Sequence, residues 1–187
     1  MSPYSVCRIE LILNPRLNGT LFRPIFSGFV DRLGLKGNER IIDFGAGPGV
    51  ISEMIAKKLL SGGGTLVCLD VTKEWAEIAH KRLERYKNVE FVFGDIRSAG
   101  IPDGSVDGVA IHYVLHDIEK SERASTVRAM VKTLAKGGKI FFREPVKGSH
   151  SMPVDEIRAL MRENMMTETR SQLNLLKSVF TATFTKE

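Results

Sequence analysis

The chain has 187 residues, of which 43% are apolar and 26% are charged, and it carries a formal net charge of +5. This length predicts one domain with a substantial core, and the sequence contains no run of about 18 apolar residues that would predict a transmembrane helix. The N-terminus lacks the basic, apolar and small-residue order of a signal peptide, and two cysteines are too few for a disulfide framework. We therefore expect a cytoplasmic protein.

The positive charge is dispersed. The isoelectric point is near 9.3, but basic residues are interspersed with glutamates, as in residues 81–87. No arginine stripe with interleaved aromatic residues occurs, and charge of this kind is typical of a solvated helix face. A nucleic-acid partner is permitted by the net charge but is not indicated by its arrangement.

The N-terminal region begins with residues 1–19, whose prolines and glycine predict an irregular arm or a short helix. From Thr20 onward, apolar residues recur at helical spacing and predict a helix with one apolar face: Leu21, Phe22, Ile25, Phe26, Phe29, Val30 and Leu33. Packing against the sheet, or closing over a ligand, is the favoured role of this face. Anchoring to a membrane or to a partner is the alternative.

Strands and helices alternate through the middle of the chain. Apolar runs and glycine stops predict strands at 40–44, 65–69, 89–93, 106–112 and 139–143, and helices at 50–60, 73–86 and 119–135. We expect Gly137-Gly138 to end the last of these helices. A helix at 154–165 follows, and then two close strands at 171–176 and 178–185 that form a hairpin. The alternation predicts a doubly wound α/β fold.

A glycine-rich turn follows the first strand, where residues 41–49 read Ile-Ile-Asp-Phe-Gly-Ala-Gly-Pro-Gly. A strand, a glycine turn and a helix in this order are typical of a nucleotide site at the carboxyl edge of a sheet. A phosphate-binding P-loop would need Gly-Lys-Ser/Thr, which is absent. A nicotinamide dinucleotide site would have a third glycine where this chain has Val50, so that interpretation is disfavoured.

Four motifs occur in order along the chain. They are Asp43 with Gly-x-Gly-x-Gly at 45–49, Asp70 closing the second strand, Gly94-Asp95 followed by the Pro102 to Asp107 approach to the fourth strand, and the late Gly137-Gly138 turn. With these motifs, the segment from about Asn38 to Pro145 resembles the class I, Rossmann-like S-adenosylmethionine-dependent methyltransferases.

The resemblance implies a doubly wound, mostly parallel seven-stranded sheet with helices on both faces and an antiparallel C-terminal hairpin. It implies a single methyltransferase domain over residues 1–187. That domain would comprise an N-terminal arm and lid helix at 1–37, a cofactor-binding core at 38–145, and a C-terminal helix and strand hairpin at 146–187. It also implies S-adenosylmethionine as the cofactor, with no metal ion.

The resemblance further assigns cofactor-binding residues, in the order of the ligand's parts. Backbone N–H groups of Gly45, Ala46, Gly47 and Gly49 would face the methionine carboxylate near a helix N-terminus, and Asp43 would orient the amino group. Asp70, with Val71, would meet the ribose, whose hydroxyl donors suit a carboxylate acceptor. Asp95 and Ile96 would meet the adenine, and His112 would lie near the ligand. Capping and turn formation are the structural alternative for the three acids.

The catalytic candidates are His116, His112 and Tyr113, which follow or end the fourth strand. Leu115-His116-Asp117 resembles the Leu-His-Asp of small-molecule O-methyltransferases, whose histidine is the general base towards a hydroxyl. His116 is otherwise expected to line the cofactor pocket or to lie at the surface. Glu144, at the end of the fifth strand, is a further polar candidate, with a structural ion pair as the alternative.

These residues predict a methyltransferase that acts on a small molecule, with oxygen slightly favoured over nitrogen or carbon as the acceptor atom. Two alternatives stay open. One is a methyltransferase acting on RNA or protein, and the other is a cofactor-binding partner protein without catalysis.

Overall fold

The computed structural model describes residues 23–187, so the predicted arm at 1–19 and the first residues of the lid helix lie outside the described residues. Seven strands form one sheet in the order β3-β2-β1-β4-β5-β7-β6. The strands are β1 Arg40–Phe44, β2 Thr65–Asp70, β3 Val89–Phe93, β4 Val106–His112, β5 Leu134–Pro145, β6 Met166–Leu173 and β7 Val179–Lys186.

The helices are α1 Arg23–Arg32, α2 Val50–Leu60, α3 Lys73–Leu83, α4 Lys120–Thr133 and α5 Val154–Glu163, with a short 3-10 turn at Leu115–Asp117. The first five strands are parallel, and β7 pairs antiparallel with both β5 and β6. The predicted fold, including the C-terminal hairpin, is confirmed. No helix within 23–187 is long and apolar enough to cross a bilayer.

Alternating side chains of the central strands supply two hydrophobic cores. Ile41 and its neighbours on one face pack with α1, α2 and α3, and Ile42 and its neighbours on the other face pack with α4 and α5. On α1, Phe29 and Val30 are buried in the first of these cores, whereas Ile25 is exposed. The favoured role of the apolar helix face, packing against the sheet, therefore holds for the part that the structure describes.

The start of β5 differs from the sequence prediction. Helix α4 ends at Thr133 and β5 begins at Leu134 without a glycine stop. Gly137-Gly138 instead lies inside β5, where the pairing with β4 shifts between Val106 and Gly108. The glycines therefore accommodate an irregularity in the strand rather than ending the helix, and the strand is longer than predicted at both ends.

The first strand of the hairpin is also displaced from its predicted position. β6 begins at Met166 and ends at Leu173, whereas the sequence prediction placed it at 171–176. Residues 174–178 form the turn to β7, because the Asn174 side chain accepts from the backbone N–H groups of Ser178 and Val179. Leu175 and Leu176 lie in this turn, and their apolar side chains led the sequence prediction to place a strand there.

The carboxyl ends of the parallel strands all meet at one edge of the sheet. Because α1 lies on one face and the segments after β4 and β5 rise from the strand ends, that edge is enclosed on several sides. The candidate site lies there.

Candidate active site

A cavity of about 910 Å³ opens at the carboxyl edge of the parallel strands. The predicted site residues that line it are Asp43, Gly45, Ala46, Gly47, Asp70, Val71, Asp95, Ile96, His112, Tyr113 and His116. Gly49 does not line the cavity. Phe26 of α1, Trp75 of α3 and His150 of the segment after β5 complete its walls, so elements far apart in sequence converge on one space.

The glycine-rich turn is held by its own hydrogen bonds. The N–H groups of Gly45 and Ala46 both donate to the Leu69 carbonyl, at 2.9 and 3.0 Å, and that of Gly49 donates to Ala46. The Gly47 N–H donates to a carboxylate oxygen of Asp70 at 2.8 Å. The N–H groups of all four residues that were predicted to face a ligand carboxylate are therefore already bonded to oxygens of the chain itself.

The N–H groups of the turn region that find no acceptor within residues 23–187 belong to Val50, Ile51 and Ser52, in the first turn of α2. Val50 and Ile51 also line the cavity. Unpaired N–H groups at a helix N-terminus attract anions. The free N–H groups next to the cavity are therefore those of the first helical turn rather than those of the glycine turn.

Gly45 and Gly49 are needed for close packing as well as for their positive φ angles of 71° and 75°. A Cβ on Gly45 would lie 2.5 Å from both methyl groups of Val114, and one on Gly49 would lie 3.2 Å from Ala79 of α3. The segment after β4 is thus packed directly onto the turn after β1. At Gly47 an added Cβ would meet nothing within 4 Å, so the turn is open to the cavity there.

Asp70 ends β2 and is buried, with 8% of its surface exposed. One carboxylate oxygen accepts from the Gly47 N–H and the other from the Thr72 N–H, each at 2.8 Å. Burial raises the pKa of Asp70, although these backbone N–H donors oppose the rise. A carboxylate has about four acceptor positions, so Asp70 can accept from a ligand hydroxyl in addition to the N–H groups of the chain.

Asp43 is more deeply buried than Asp70, at 2% exposure. Its Oδ2 accepts from the Ser52 hydroxyl at 2.5 Å, and no residue of the described chain donates to its Oδ1. Burial raises the pKa of Asp43 to about 6, the Ser52 hydrogen bond opposes this rise, and the nearby charge of Asp70 adds to it. Asp43 therefore lies close to protonation at physiological pH.

Asp95 and Ile96 follow β3 and reach the same cavity. Both carboxylate oxygens of Asp95 accept hydrogen bonds from the Arg97 guanidinium, which lowers the pKa of Asp95. Ile96 is almost fully buried in the same hydrophobic core as Leu69. Ile96 can supply an apolar surface for a flat ring, whereas Asp95 could accept from a ligand only alongside Arg97.

The most organised group in the site joins His116 to Glu144. The Glu144 side chain is fully buried, and its Oε1 accepts from the Val114 and Leu115 N–H groups at 2.9 and 2.8 Å. Its Oε2 lies 2.7 Å from Nδ1 of His116. Burial alone would lower the pKa of His116, but the hydrogen bond and the charge of Glu144 raise it above its ordinary value.

This geometry fixes the histidine ring. A carboxylate can only accept, so Nδ1 carries the proton that it donates to Glu144. Nε2 is then the nitrogen that can take up a further proton, and Asp117 Oδ1 lies 3.3 Å from it. The Glu144–His116 pair, as we call it, is an arrangement suited to a general base.

Arg123 of α4 binds the backbone of the segment that carries His116. Its guanidinium donates to the carbonyl oxygens of Ile118 and His116, both at 2.9 Å, and pairs with Glu156 of α5 at 2.8 Å. Arg123 is 9% exposed, so these bonds are shielded from water. The backbone from His116 to Ile118 is therefore held in place.

His112 differs from His116 in its surroundings. Its ring packs against Phe26 and Phe29, with centroids 5.4 and 5.0 Å apart. Burial, together with the positive charge of Arg143, lowers the pKa of His112 to about 3. Its Nε2 is buried and has no hydrogen-bond partner in the described chain. A histidine with so low a pKa is a weak proton acceptor near neutrality.

Tyr113 adopts a positive φ of 58° directly after β4. For a bulky residue this conformation is uncommon and costs about 1–2 kcal/mol. The Tyr113 N–H donates to the Arg143 carbonyl at 2.8 Å, which holds the residue in place. Strain of this kind is retained where it serves a site, and here it turns the tyrosine ring towards the cavity.

Three residues of the site carried no recognisable motif: Ser52, Val114 and Arg123. A serine on the otherwise apolar buried face of α2 is the signal that could have identified Ser52 as a partner for a buried acid. Val114 and Arg123 act through contacts with distant segments, and nothing in their local sequence distinguishes them from ordinary core and surface residues.

Comparison with known proteins gives one family. The family model described as a methyltransferase domain matches residues 41–138, more than half of the chain. A protein of Streptomyces fradiae described as an uncharacterized 37.1 kDa protein in a transposon is 30% identical over 119 residues, 64% of this chain and 34% of that protein. An uncharacterized methyltransferase of Bacillus licheniformis is 25% identical over 164 residues, covering 84% of this chain and 74% of that protein.

A ubiquinone/menaquinone biosynthesis C-methyltransferase of Pseudomonas fluorescens is 25% identical over 152 residues, which are 80% of this chain and 58% of that enzyme. The chain thus spans only about a third to three quarters of the length of these relatives. Among solved structures, the N-methyltransferase NodS of Bradyrhizobium japonicum in complex with S-adenosylhomocysteine superposes with a TM-score of 0.77, at 18% identity and 93% coverage of both chains.

Proposed function

Because this chain belongs to the methyltransferase domain family, we propose that its cavity holds a small-molecule acceptor beside S-adenosylmethionine and that His116 removes the acceptor's proton as the methyl group is transferred. A hydroxyl is the favoured acceptor group. The observation that carries the proposal is the Glu144–His116 pair, in which Nδ1 of the cavity-lining His116 lies 2.7 Å from the fully buried Glu144 carboxylate.

The residues of the cavity suit the methyl donor of this family. Asp70 offers free lone pairs to a ribose diol. The first-turn N–H groups of α2 suit a carboxylate, and Asp43 Oδ1 is free to accept from an amino group. Gly47 leaves open space in which a ligand can approach the backbone. Ile96 offers an apolar surface to the adenine.

The strand order separates the two ends of the cavity. Asp70 ends β2 and Asp43 lies in β1, whereas His112 ends β4 and Glu144 lies near the end of β5, on the other side of β1. A donor that spans β2 and β1 would direct its reactive end towards β4. The acceptor pocket would then be formed by Tyr113, His116 and the segments bearing Phe26 and His150.

S-adenosylmethionine supplies an electrophilic methyl group when bound, so the protein's task is to align the acceptor, exclude water and accept one proton. Nε2 of His116 would accept the proton of the acceptor hydroxyl, while the bond between the methyl carbon and the donor's sulfur would break as the hydroxyl oxygen takes up the methyl group. Glu144 holds the ring and stabilises the imidazolium that results. His116 must be neutral at Nε2 to act, so the rate should rise as pH increases through its pKa.

His116→Gln tests the base directly. We expect turnover at saturating S-adenosylmethionine to fall by about 10²- to 10⁴-fold, the usual contribution of a general base, while calorimetric affinity for S-adenosylmethionine changes little. Formation of S-adenosylhomocysteine would be followed over a panel of hydroxylated small molecules. Unchanged turnover in His116→Gln, or a loss confined to cofactor affinity, would refute the role.

Glu144→Gln tests the pair while preserving shape. The glutamine oxygen can still accept from Val114 and Leu115, but its amide donates to Nδ1 and forces the proton onto Nε2 of His116. We expect a lower maximal rate, and an NMR titration of the His116 imidazole should give a lower pKa than in the unaltered protein. An unchanged pKa of His116 would contradict its contact with Glu144, and this test needs no methyl acceptor.

A carbon acceptor is the second candidate, because the relative in Pseudomonas fluorescens is described as a C-methyltransferase. A carbon made nucleophilic by an adjacent hydroxyl would use the same proton acceptor, His116. Mass spectrometry of the product, with the methyl group located by fragmentation, separates the two. Tight cofactor binding without product from any acceptor would instead favour the non-catalytic alternative.

A further inference from the structure

An apolar projection stands beside the cavity, at the turn that joins β6 to β7. We call residues 173–178 the leucine tip. Its three leucines are exposed: Leu175 at 99%, Leu176 at 75% and Leu173 at 44%. Isolated exposed apolar residues are common in soluble proteins, but three within four positions at one projection form a patch that calls for a partner.

The tip is a turn that its own hydrogen bonds hold in place. The Asn174 side chain accepts from the N–H groups of Ser178 and Val179, at 2.7 and 3.0 Å. Lys147, in the segment after β5, donates to the Leu176 carbonyl at 3.3 Å. The leucine side chains are therefore held outward while the polar groups of the turn bond to one another.

The tip lies at the same edge of the sheet as the cavity. Val179, the first residue of β7, pairs with Pro145, the residue that follows Glu144. The segment after Pro145 carries His150, which lines the cavity. Whatever contacts the leucine tip is consequently close to the cavity entrance.

The two chain segments that meet at the tip carry charges of one sign. Residues 145–154 and 169–180 contain no aspartate or glutamate, and they carry Lys147, Arg170 and Lys177. Exposed apolar side chains flanked by basic residues are the combination with which peripheral proteins attach to anionic bilayers, since insertion or charge alone gives only weak binding.

From this arrangement we propose that the leucine tip docks on an anionic lipid bilayer, with its leucines inserted among the acyl chains and the neighbouring lysines at the headgroups. A protein partner fits less well, because a stable protein interface buries about 800 Å² per partner and is enriched in aromatic residues. The tip offers a narrow projection of leucines instead. The proposal concerns attachment and does not depend on which acceptor is methylated.

The test is cosedimentation of the full chain with vesicles of phosphatidylcholine alone or with phosphatidylserine added. We expect binding to the anionic vesicles that weakens as salt concentration rises. Changing Leu175 and Leu176 together to serine should reduce the partition coefficient by about tenfold or more, because each buried leucine contributes substantially to transfer. Met165→Ser is the matched control, since Met165 is 77% exposed at the opposite end of β6.

A second pair of variants tests the contribution of the basic residues to bilayer binding. Lys177→Glu should weaken binding to anionic vesicles, whereas Lys87→Glu, at an exposed position before β3 and remote from the tip, should not. Thermal unfolding of each variant would verify that the fold is retained. No binding to anionic vesicles, or equal losses in the tip and control variants, would overturn the proposal. Concentration-dependent dimerisation abolished by the leucine changes would assign the tip to a second copy of the chain instead.

Discussion

Replacing Asp43 with asparagine is expected to stabilise the fold and weaken cofactor binding at the same time. The asparagine side chain would keep an acceptor for the Ser52 hydroxyl, which now lies 2.5 Å from Asp43 Oδ2, and would remove a charge that is buried at 2% exposure. The amide nitrogen would take the position of Oδ1, which has no donor within the described residues. No core atom is removed, so the packing around β1 should persist.

The magnitude follows from proton linkage. The folded chain holds a proton on Asp43 up to about pH 6, whereas the unfolded chain releases it near the ordinary value of 3.8. The folded state therefore binds more protons between these values, and the free energy of unfolding falls as pH rises through this window. Since one pKa unit corresponds to about 1.4 kcal/mol, the ionised carboxylate costs up to about 3 kcal/mol at pH 7.

Urea unfolding of both proteins at pH 4 and at pH 7 measures the effect. We expect Asp43→Asn to gain about 1–3 kcal/mol at pH 7 and much less at pH 4, where Asp43 is protonated in the folded state. Calorimetry with S-adenosylmethionine should give weaker binding, because the amide cannot accept from the amino group. Equal stability changes at the two pH values would refute the buried-charge reasoning, and unchanged affinity would refute the binding role.

Three further changes test the site. Gly45→Ala should lower the free energy of unfolding by about 2–3 kcal/mol, because the new Cβ clashes with Val114 and because the residue has a positive φ. Adding Val114→Ala should restore only the part of this stability that the clash removes. Asp70→Ala should weaken S-adenosylmethionine binding by about tenfold or more, through loss of a charge-assisted acceptor, and unchanged affinity in calorimetry would mean that the ribose binds elsewhere. Arg123→Met should lower the free energy of unfolding in urea by about 3 kcal/mol, because it leaves two carbonyl groups and Glu156 without their donor. It should also broaden the His116 NMR signals. Sharp signals would show that residues 116–118 stay ordered without Arg123.

The fold could be predicted because its signals are local. Apolar runs bounded by turn residues define β1, β3 and β4 at their observed limits. The glycine turn and Asp70 likewise belong to one continuous strand–turn–helix–strand unit, so the sequence could predict that they lie together at one edge of the sheet. The predicted start of β5 was wrong because a glycine pair inside a strand irregularity resembles one that ends a helix.

The contacts at the ends of β4 and β5 could not be predicted to the same depth. Glu144 and His116 are 28 residues apart, and their contact depends on β4 and β5 being neighbours in register. The same holds for Val114 and Gly45, whose contact depends on the pairing of β1 with β4. The hydrogen bonds of the glycine turn could not be predicted either, because they depend on how closely the Leu69 carbonyl at the end of β2 approaches the turn.

The contact between Gly45 and Val114 limits how substrate range can be altered, whether by selection or by engineering. Residues 115–119 and 146–153 could be exchanged for segments from a relative without replacing Val114, the residue that packs against Gly45. A graft that begins one residue earlier would replace Val114 and disturb the turn from the other side. Chimaeras with a junction after residue 114 should therefore retain their methyl donor, and those with an earlier junction should require a compensating change at the glycine turn.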